Sequence, residues 1–524
     1  MRLTIALGLV AVPAWALDLF VSPSGNDNFI GTEDRPLASL AVARDRVRAS
    51  GRVGKEQVTV WLEDGVYRLE ETWVLRPEDG GENGYPISYR ARHRGQAVLT
   101  GSLARLVSFE GSSAQPVAWL QLEGLTFRDN VAPSAGSPEP LLRSGIFFRR
   151  EAAVRLVGAE DCVLADCVFE QLAGNALLIS GYNRRIVMRG SRLTDISGHA
   201  LSLVGESRAV RQPLFKREAI QDYAHLDRTE GPGGPDYPAD CVLEDLLIQR
   251  AGLREKAGGV LLAMSAVITL RNLTIEGCSG PAIIVNDGTW GGHLIEGCDV
   301  RDAASGPGEP TGLLALGRDR YWDTDRSIVE REVGVAPGLP RLDARRPTEI
   351  RFSRWRSEHG RDLVLGEGSV AYLVHHNVFL RGGLRMEPGF ERKIYNNVFI
   401  NGGLNLQAGY ERSEDAFTRN LVDAPLVAEA MDRPWGDHFD RNLYRSPAQL
   451  AIAQSGGRER RSLASPPGYL APERGDFRVG PGSPAFRLGF ENFPMDAFGV
   501  RSEQLRRLAG TPRLDPPAPA RPGR

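Results

Sequence analysis

Four acidic residues between positions 309 and 387 have the types and spacing that cleavage of a glycosidic bond requires. They are Glu309, Asp362, Glu367 and Glu387. Such cleavage needs one carboxylic acid that protonates the leaving oxygen and one carboxylate that acts as nucleophile or base. Glu309 and Asp362 are about one coil of a short repeat apart once an interruption at 317–347 is removed. We therefore expect Asp362 as nucleophile or base and Glu309 as acid, with Glu367 as an alternate.

Nearby aromatic and charged residues could bind a sugar. Trp290 and Trp322 offer flat ring faces. Arg318 could bind a uronate carboxylate, or could pair with neighbouring acids such as Asp319. His359 could orient an acid. The alternatives are that the rings pack against the 317–347 interruption, that the histidine bonds to a loop backbone, and that each acid is a solvated surface charge.

The element that must position these residues is visible as a repeat within residues 374–412. Val374-His-His-Asn-Val-Phe-Leu-Arg-Gly-Gly-Leu384 is followed, 20 residues later, by Ile394-Tyr-Asn-Asn-Val-Phe-Ile-Asn-Gly-Gly-Leu404. A short period of β-branched residues, glycine and asparagine is typical of stacked β-coils, whose apolar faces are buried only by their neighbours. The fold class predicted is all-β, a single-stranded right-handed parallel β-helix.

The register of this repeat predicts which side chains lie inside the helix and which lie outside. Leu363, Leu384 and Leu404 should form one interior column, and Leu365, Met386 and Leu406 a second. Because side chains alternate along a strand, the residues between them should face outward on one polar wall. These outward residues are Asp362, Val364, Gly366, Arg385, Glu387, Asn405 and Gln407. Arg385 and Glu387 join the predicted substrate-binding residues.

The chain divides into a leader, one long domain and a tail. Residues 1–16 match a secretory signal peptide, which predicts a secreted or periplasmic protein. Residues 17–510 form the β-helix, with long insertions at about 206–240 and 317–347. Residues 511–524 are rich in proline and are predicted to be disordered.

A short helix should close the open end of the β-helix. Ser39 is a suitable N-cap for a helix over 40–48, and Leu40, Ala43 and Val47 share one face of that helix. Terminal coils of a solenoid need such a cover for their core.

Asparagine and cysteine recur at coil-like spacings. Asn377, Asn397, Asn420 and Asn442 suit a turn column whose amides bond along the stack. Cys278 and Cys298 lie 20 residues apart, each in an Ile-Glu-Gly-Cys phrase, and should stack on successive coils. Small buried residues and a disulfide are both compatible with that spacing.

The bulk composition excludes several classes of partner. The formal net charge is −2, from 64 basic and 66 acidic residues, so no overall field favours nucleic acid or anionic membrane. No stretch after the leader is long and apolar enough to span a bilayer. Five cysteines, with no paired CxxC motifs or clustered histidines, do not indicate a metal site. We expect a monomer without a cofactor, whose partner is a polysaccharide or oligosaccharide.

Several phrases together resemble secreted parallel β-helix proteins of the pectate-lyase-like superfamily, in particular those grouped as glycoside hydrolase family 141. The matching phrases are Val21-Ser-Pro-Ser-Gly25 with Gly31-Thr32 and Pro36, Gly288-Thr-Trp-Gly-Gly-His293, Gly317-Arg-Asp-Arg-Tyr-Trp322, His359-Gly-Arg-Asp362, the 374–412 repeat, and Gly489-Phe-Glu-Asn-Phe-Pro-Met-Asp496 with Phe498-Gly499. The resemblance covers nearly the whole mature chain and implies a carbohydrate-active enzyme.

The chain departs from that family where the family is rich in acids. Where relatives have a phrase like Glu-Thr-Gly-Asp-His-Gly, this chain has Gly306-Pro-Gly-Glu-Pro-Thr311. Where they have Trp-Asp-Ile-Asp-Leu-Asp-Asp-Gly, it has Arg361-Asp-Leu-Val-Leu-Gly-Glu-Gly368. Three hypotheses stay open: a glycoside hydrolase, a polysaccharide lyase on the same fold, and a non-catalytic glycan-binding or structural β-helix with an eroded site.

Overall fold

The computed structural model describes most of the chain between Leu17 and Leu514. The described ranges are 17–133, 148–211, 229–254, 257–286, 288–302, 310–316, 346–358, 360–366, 368–406, 413–423, 438–455 and 457–514. The predicted signal peptide and the end of the tail lie outside them, as do large parts of the two predicted insertions.

Three long sheets with parallel strands run the length of the molecule, and successive coils add one strand to each sheet in turn. The first sheet has 14 strands: Leu17–Val21, Val58–Leu62, Ile87–Ala91, Leu120–Glu123, Val163–Ala165, Val187–Arg189, Val242–Glu244, Thr269–Arg271, Leu294–Glu296, Thr348–Arg351, Tyr372–His375, Lys393–Tyr395, Ala416–Thr418 and His438–Asp440.

The second sheet follows the first across a tight corner and also has 14 strands. They are Gly65–Arg68, Ala97–Thr100, Leu125–Arg128, Val168–Leu172, Arg192–Ile196, Leu247–Ala251, Thr274–Glu276, Asp299–Arg301, Arg354–Arg356, Val378–Phe379, Val398–Phe399, Leu421–Val422, Leu443–Tyr444 and Leu463–Ala464.

The third sheet completes each coil, and its corners carry the long loops. Its main path comprises Trp73–Leu75, Val107–Glu110, Ala152–Glu160, Asn175–Arg184, Leu201–Val204, Val260–Ala263, Ile283–Val285, Pro310–Ala315, Arg361–Leu365, Leu384–Met386 and Leu404–Leu406, with Val117–Ala118 and Pro238–Ala239 paired at one side. The predicted parallel β-helix is confirmed.

The interior is a continuous apolar core. One cluster of buried side chains extends from Leu19 near the first coil to Ala453 near the last described one. Helix α1 (Leu40–Ala49) covers the first coil, with Ser39 Oγ accepting a hydrogen bond from the Val42 N–H and with Leu40 among its buried residues. The predicted capping helix is therefore confirmed. Within the described ranges, no helix is both long and apolar enough to cross a membrane.

The corner between the first and second sheets is the most regular turn of the fold. The Asn377 N–H donates to Asn397 Oδ1 at 3.0 Å, and the Asn397 N–H donates to Asn420 Oδ1 at 3.0 Å. The Asn420 N–H continues the chain of bonds to Asn442 Oδ1 at 2.9 Å. The residue before each asparagine adopts positive φ, for example His376 at 55°. The predicted asparagine column is confirmed.

The predicted stacking of Cys278 on Cys298 is wrong. Thr274 pairs with Asp299, so this coil is 25 residues long rather than 20. By that register, Cys298 stacks on Leu273 and not on Cys278. All five cysteines are buried and free.

The chain after the last coil turns back along the outside of the second sheet. Helix α2 (Pro447–Gln454) precedes a small antiparallel pair, Tyr469–Ala471 with Asp476–Val479. Further on, the Gly499 N–H donates to Gly297 O at 2.7 Å. Helix α3 (Glu503–Ala509) then packs on Leu247, near the middle of the solenoid. Short 3-10 segments lie at Pro77–Asp79, Ser207–Ala209, Pro472–Arg474 and Pro484–Leu488.

Candidate functional site

The wall predicted from the repeat is the outer face of the third sheet at Arg361–Leu365 and the two following strands. Leu363 pairs with Leu384, which pairs with Leu404, and all three are fully buried. Leu365, Met386 and Leu406 form the second column in the same register. The two predicted interior columns are confirmed.

The prediction that Asp362 faces solvent on this wall is wrong. Asp362 is fully buried (0% exposed). It lies at the corner between the second and third sheets, where the strand begins, and its side chain points along the helix axis. Asp362 Oδ2 accepts hydrogen bonds from the backbone N–H groups of Gly382 (2.9 Å) and Gly383 (3.0 Å), and a longer one from Arg381 (3.4 Å). Strict alternation fails here because the corner, not the flat strand, orients the side chain.

Asp362 stands in a column that holds only alanine or glycine in the neighbouring coils. Asp362 immediately precedes the inward-facing Leu363. In seven neighbouring coils, the residue that precedes the inward-facing residue paired in register with Leu363 is alanine or glycine: Ala176, Ala200, Gly259, Ala282, Gly312, Gly383 and Gly403. A Cβ on Gly312 would lie 2.0 Å from the Asp362 carbonyl oxygen, and one on Gly382 would lie 2.8 Å from Asp362 Oδ1. The glycines therefore create the space that a carboxylate occupies here.

The second carboxylate oxygen of Asp362 has no comparable set of donors. Within the described part of the chain, Oδ1 has no partner at hydrogen-bond geometry. The nearby Ser357 hydroxyl donates to the Arg361 carbonyl at 3.1 Å. Burial raises the pKa of Asp362 to about 6, against the lowering effects of the Gly383 N–H, the Ser357 hydroxyl, and the Arg381 and Gly382 N–H groups. A carboxyl group tuned upward by burial is suited to donating a proton near neutral pH.

Arg385 and Glu387 do face outward as predicted. They form an ion pair at 3.0 Å, with 45% and 27% of their side chains exposed. Glu387 lies over Gly366, where a Cβ would be 3.6 Å from Glu387 Oε2. Asp362 and Gly366 lie at opposite ends of one strand, roughly 13 Å apart at about 3.3 Å per residue. Glu387 therefore lies at the other end of the wall from Asp362, where it is paired with Arg385.

Trp290 is not an open sugar-stacking face. It is 3% exposed and packs against Tyr237, with ring centroids 4.6 Å apart. Both belong to an apolar cluster that covers the middle of the outer face of the third sheet, together with Leu178, Leu261 and Ile284. Trp290 is therefore a packing residue, but its partner Tyr237 belongs to the 206–240 insertion and not to the predicted 317–347 interruption.

The remaining predicted site residues lie outside the described residues. They are Glu309, Glu367, Arg318, Asp319, Trp322 and His359. The register next to them is known: Pro310, which follows Glu309, pairs with Arg361, and Leu313 pairs with Leu363. The strand that begins at Pro310 and the strand that contains Asp362 are therefore adjacent, as the spacing predicted.

No metal site is visible in the described ranges, where no three His, Cys, Asp or Glu side chains are close enough to hold an ion.

Sequence reasoning missed the donors that hold Asp362. In the sequence, Gly382 and Gly383 stand out only as part of the repeat, although their N–H groups are the main partners of the Asp362 carboxylate. A usable signal was present, since Asp362 is the acid at a position where other coils have alanine or glycine.

Comparison with solved structures supports the fold. One similar structure, described as a glycoside hydrolase, has a TM-score of 0.51 at 12% identity, and the match covers 85% of this chain and 99% of that one. A complex of XylC with xylose has a TM-score of 0.47 at 10% identity, covering 87% of each chain. The A-module of the Azotobacter vinelandii mannuronan C-5 epimerase AlgE6 has a TM-score of 0.43 at 10% identity, covering 81% of this chain and 93% of that one.

These neighbours are carbohydrate-active parallel β-helix proteins. At such low identity the likeness concerns the fold. No family model matches the chain, and no curated protein matches it.

Proposed function

We propose that this chain is an exported carbohydrate-active β-helix protein that hydrolyses glycosidic bonds of a polysaccharide or oligosaccharide. The observation that carries the proposal is the Asp362 carboxyl group, with one oxygen held by backbone N–H groups of the next coil and a pKa of about 6. Carboxylic acids with raised pKa are the proton donors of glycosidases.

The raised pKa suits Asp362 to the acid role rather than to the nucleophile or base role expected from the sequence. Glu309 is then the partner carboxylate, with Glu367 as the alternate. Support for Glu309 is that the strand starting at Pro310 lies beside the strand of Asp362. Since Asp362 is shielded from solvent, the proposal requires that substrate binding displaces this cover.

A second candidate function is non-catalytic glycan binding. The observation that favours it is the same set of contacts, because Asp362 Oδ2 bonded to three N–H groups of the next coil would be explained by a structural role alone. The acid-poor phrases around Glu309 and Asp362 also favour it.

The test begins with a screen of purified protein over polysaccharides, following both new reducing ends and the ultraviolet absorbance of unsaturated products. Hydrolysis gives the first signal alone, and elimination by a lyase gives both. On any active substrate, Asp362→Asn keeps an oxygen for the three N–H donors but removes the transferable proton. We expect it to lower turnover by at least about 100-fold, in the range of a lost general acid, with folding retained.

The matched control is Asp34→Asn, which makes the same chemical change at an exposed site near the start of the chain. It should leave turnover unchanged. If Asp362→Asn retains full turnover, the acid role is wrong. If no polysaccharide is cleaved while one is bound, the glycan-binding alternative is correct.

Export is part of the proposal, and it rests on the signal-peptide pattern of residues 1–16. Expression in a bacterial host followed by mass measurement of the exported protein should give a mature chain that begins at Leu17. Retention of the full-length chain in the cytoplasm would contradict export.

A further inference from the structure

A group of arginines occupies the outer face of the third sheet near its N-terminal end, far from Asp362. Arg155 lies on the strand Ala152–Glu160, between the fully buried Val154 and Leu156, so its side chain points outward. It pairs with Ser108 on one neighbouring strand and with Leu178 on the other.

The two arginines beside Arg155 already have carboxylate partners. Arg105 Nη2 lies 2.6 Å from Glu151 Oε1. Arg150 Nη1 lies 2.9 Å from Glu206 Oε1, and it also donates to Ser180 Oγ at 2.8 Å. Glu110 lies on the neighbouring strand, with Oε2 3.6 Å from Arg76 Nη2 and Oε1 4.0 Å from Arg105 Nη1. The nearby glutamates are therefore each paired with another arginine.

Within the described ranges, Arg155 itself has no such partner. Among the described residues, no group accepts a hydrogen bond from its buried Nε atom. Burial, together with the positive charge of Arg105, lowers the pKa of Arg155 against the opposing effect of Glu151. A guanidinium group presents five donors in a rigid fork, and leaving the buried Nε–H without an acceptor is costly.

We propose that Arg155 binds the oxyanion of an acidic sugar residue, either a uronate carboxylate or a sulfate ester. This inference rests on the proposed function in that the ligand is a glycan. The planar fork of arginine matches both oxyanions through paired hydrogen bonds. A bound oxyanion would supply an acceptor for the Nε–H group and would balance the excess of four arginines (Arg76, Arg105, Arg150 and Arg155) over Glu110, Glu151 and Glu206.

This subsite is separate from the candidate catalytic residues. The register runs outward from Arg155 through Leu178, Ser202, Leu261, Ile284 and Leu314 to Val364, six coils away. At about 4.8 Å per coil, the separation is roughly 29 Å. The apolar cluster that contains Trp290 covers the face between them. Binding at Arg155 can therefore be measured independently of any cleavage at Asp362.

The test is calorimetric titration of the whole protein with oligogalacturonate, with its fully methyl-esterified form, and with a sulfated galactan oligosaccharide. The methyl ester keeps the sugar skeleton but removes the anion, so it should bind at least about tenfold more weakly, the loss expected for charge-assisted hydrogen bonds. Arg155→Gln should lose the same factor for the anionic ligand. Arg155→Lys keeps the charge without the fork and should fall between the two.

Arg487→Gln removes the same charge at an exposed position and should bind like the wild type. Arg155→Gln should melt at the wild-type temperature or above, because the lost charge is unpaired. Arg155-dependent binding of oligogalacturonate assigns a carboxylate, and Arg155-dependent binding of the sulfated ligand alone assigns a sulfate ester.

The proposal is overturned if neither anionic ligand binds, or if Arg155→Gln binds as tightly as the wild type. Because the readout is binding, a protein that binds acidic glycans at Arg155 but cleaves none refutes only the hydrolase proposal. Cleavage of a neutral glycan with no Arg155-dependent binding refutes only the subsite.

Discussion

Replacing Asp362 by asparagine should stabilise the protein at neutral pH and leave its stability almost unchanged in acid. The native pKa of about 6 lies above the ordinary value of 3.8 for an aspartate. Between these two values the folded chain binds more protons than the unfolded chain, so the free energy of unfolding of the wild type falls as the pH rises. The contribution is fully present below about pH 3.8 and is lost once the pH exceeds about 6.

The magnitude follows from the size of the shift. Two pKa units at about 1.36 kcal/mol per unit correspond to roughly 3 kcal/mol. Asparagine at position 362 carries no charge and can still accept from the Gly382 and Gly383 N–H groups, so it avoids this cost. The variant should therefore exceed the wild type by about 3 kcal/mol at pH 7.5 and match it within about 1 kcal/mol at pH 4.

The assay is urea unfolding of both proteins at several pH values between 4 and 7.5, followed by tryptophan fluorescence. Comparing the two proteins isolates Asp362, because other buried acids, such as Asp423 with a pKa of about 6, titrate in both. Asp362→Ala is the control for the hydrogen bonds. This variant leaves the N–H donors without an acceptor. It should be less stable than Asp362→Asn at every pH, by about 1–3 kcal/mol for each donor left unpaired.

A difference between wild type and Asp362→Asn that does not change from pH 4 to 7.5 would refute the reasoning. A wild type that gains stability relative to the variant over that interval would refute it more directly, since it would mean that the folded chain prefers the charged carboxylate.

Three further perturbations test other parts of the fold. Asn397→Ala should lower the free energy of unfolding in urea by at least about 3 kcal/mol, because it removes the acceptor of the Asn377 N–H and a donor to the next coil. Asn397→Ser keeps an oxygen and should lower it less. Equal losses in the two variants would contradict the role of the asparagine column. Asp415→Asn should lower the free energy of unfolding by about 3–5 kcal/mol, because it leaves the fully buried Arg392 without its charged partner. A loss below about 1 kcal/mol would contradict that reasoning. Burial and the neighbouring His375 lower the pKa of His376 to about 4, so the wild type should lose stability as the pH falls from 6.5 to 4. Asparagine tolerates the same positive φ, and His376→Asn should recover about 1 kcal/mol at pH 4 after allowance for solvent screening. Identical acid profiles of the two proteins would exclude this histidine as the cause.

Much of the fold could be predicted because its features are local or repeat at a short period. The capping helix over Leu40–Ala49 follows from an N-cap serine and apolar spacing. The columns that contain Leu363 and Leu365 follow from two-residue alternation combined with coils of nearly constant length. The asparagine column follows for the same reason, since each asparagine occupies the same tight corner.

The candidate site could be predicted only in part. Arg385 and Glu387 face outward because they lie on or just after a flat strand, where alternation holds. Asp362 does not, because it lies at a corner whose shape depends on Gly382 and Gly383 in the next coil. Alternation within one strand carries no information about the backbone of another coil.

The amino-acid sequence alone determined that this chain stacks β-coils, which side of each regular strand is apolar, and where the first coil is closed. Only the tertiary structure decided that Cys278 and Cys298 are out of register, that Asp362 is buried, and that Arg155 has no carboxylate partner among the residues that the structure describes. These outcomes depend on corner lengths that vary from coil to coil, and therefore on contacts between residues far apart in the chain. A local period cannot encode such contacts.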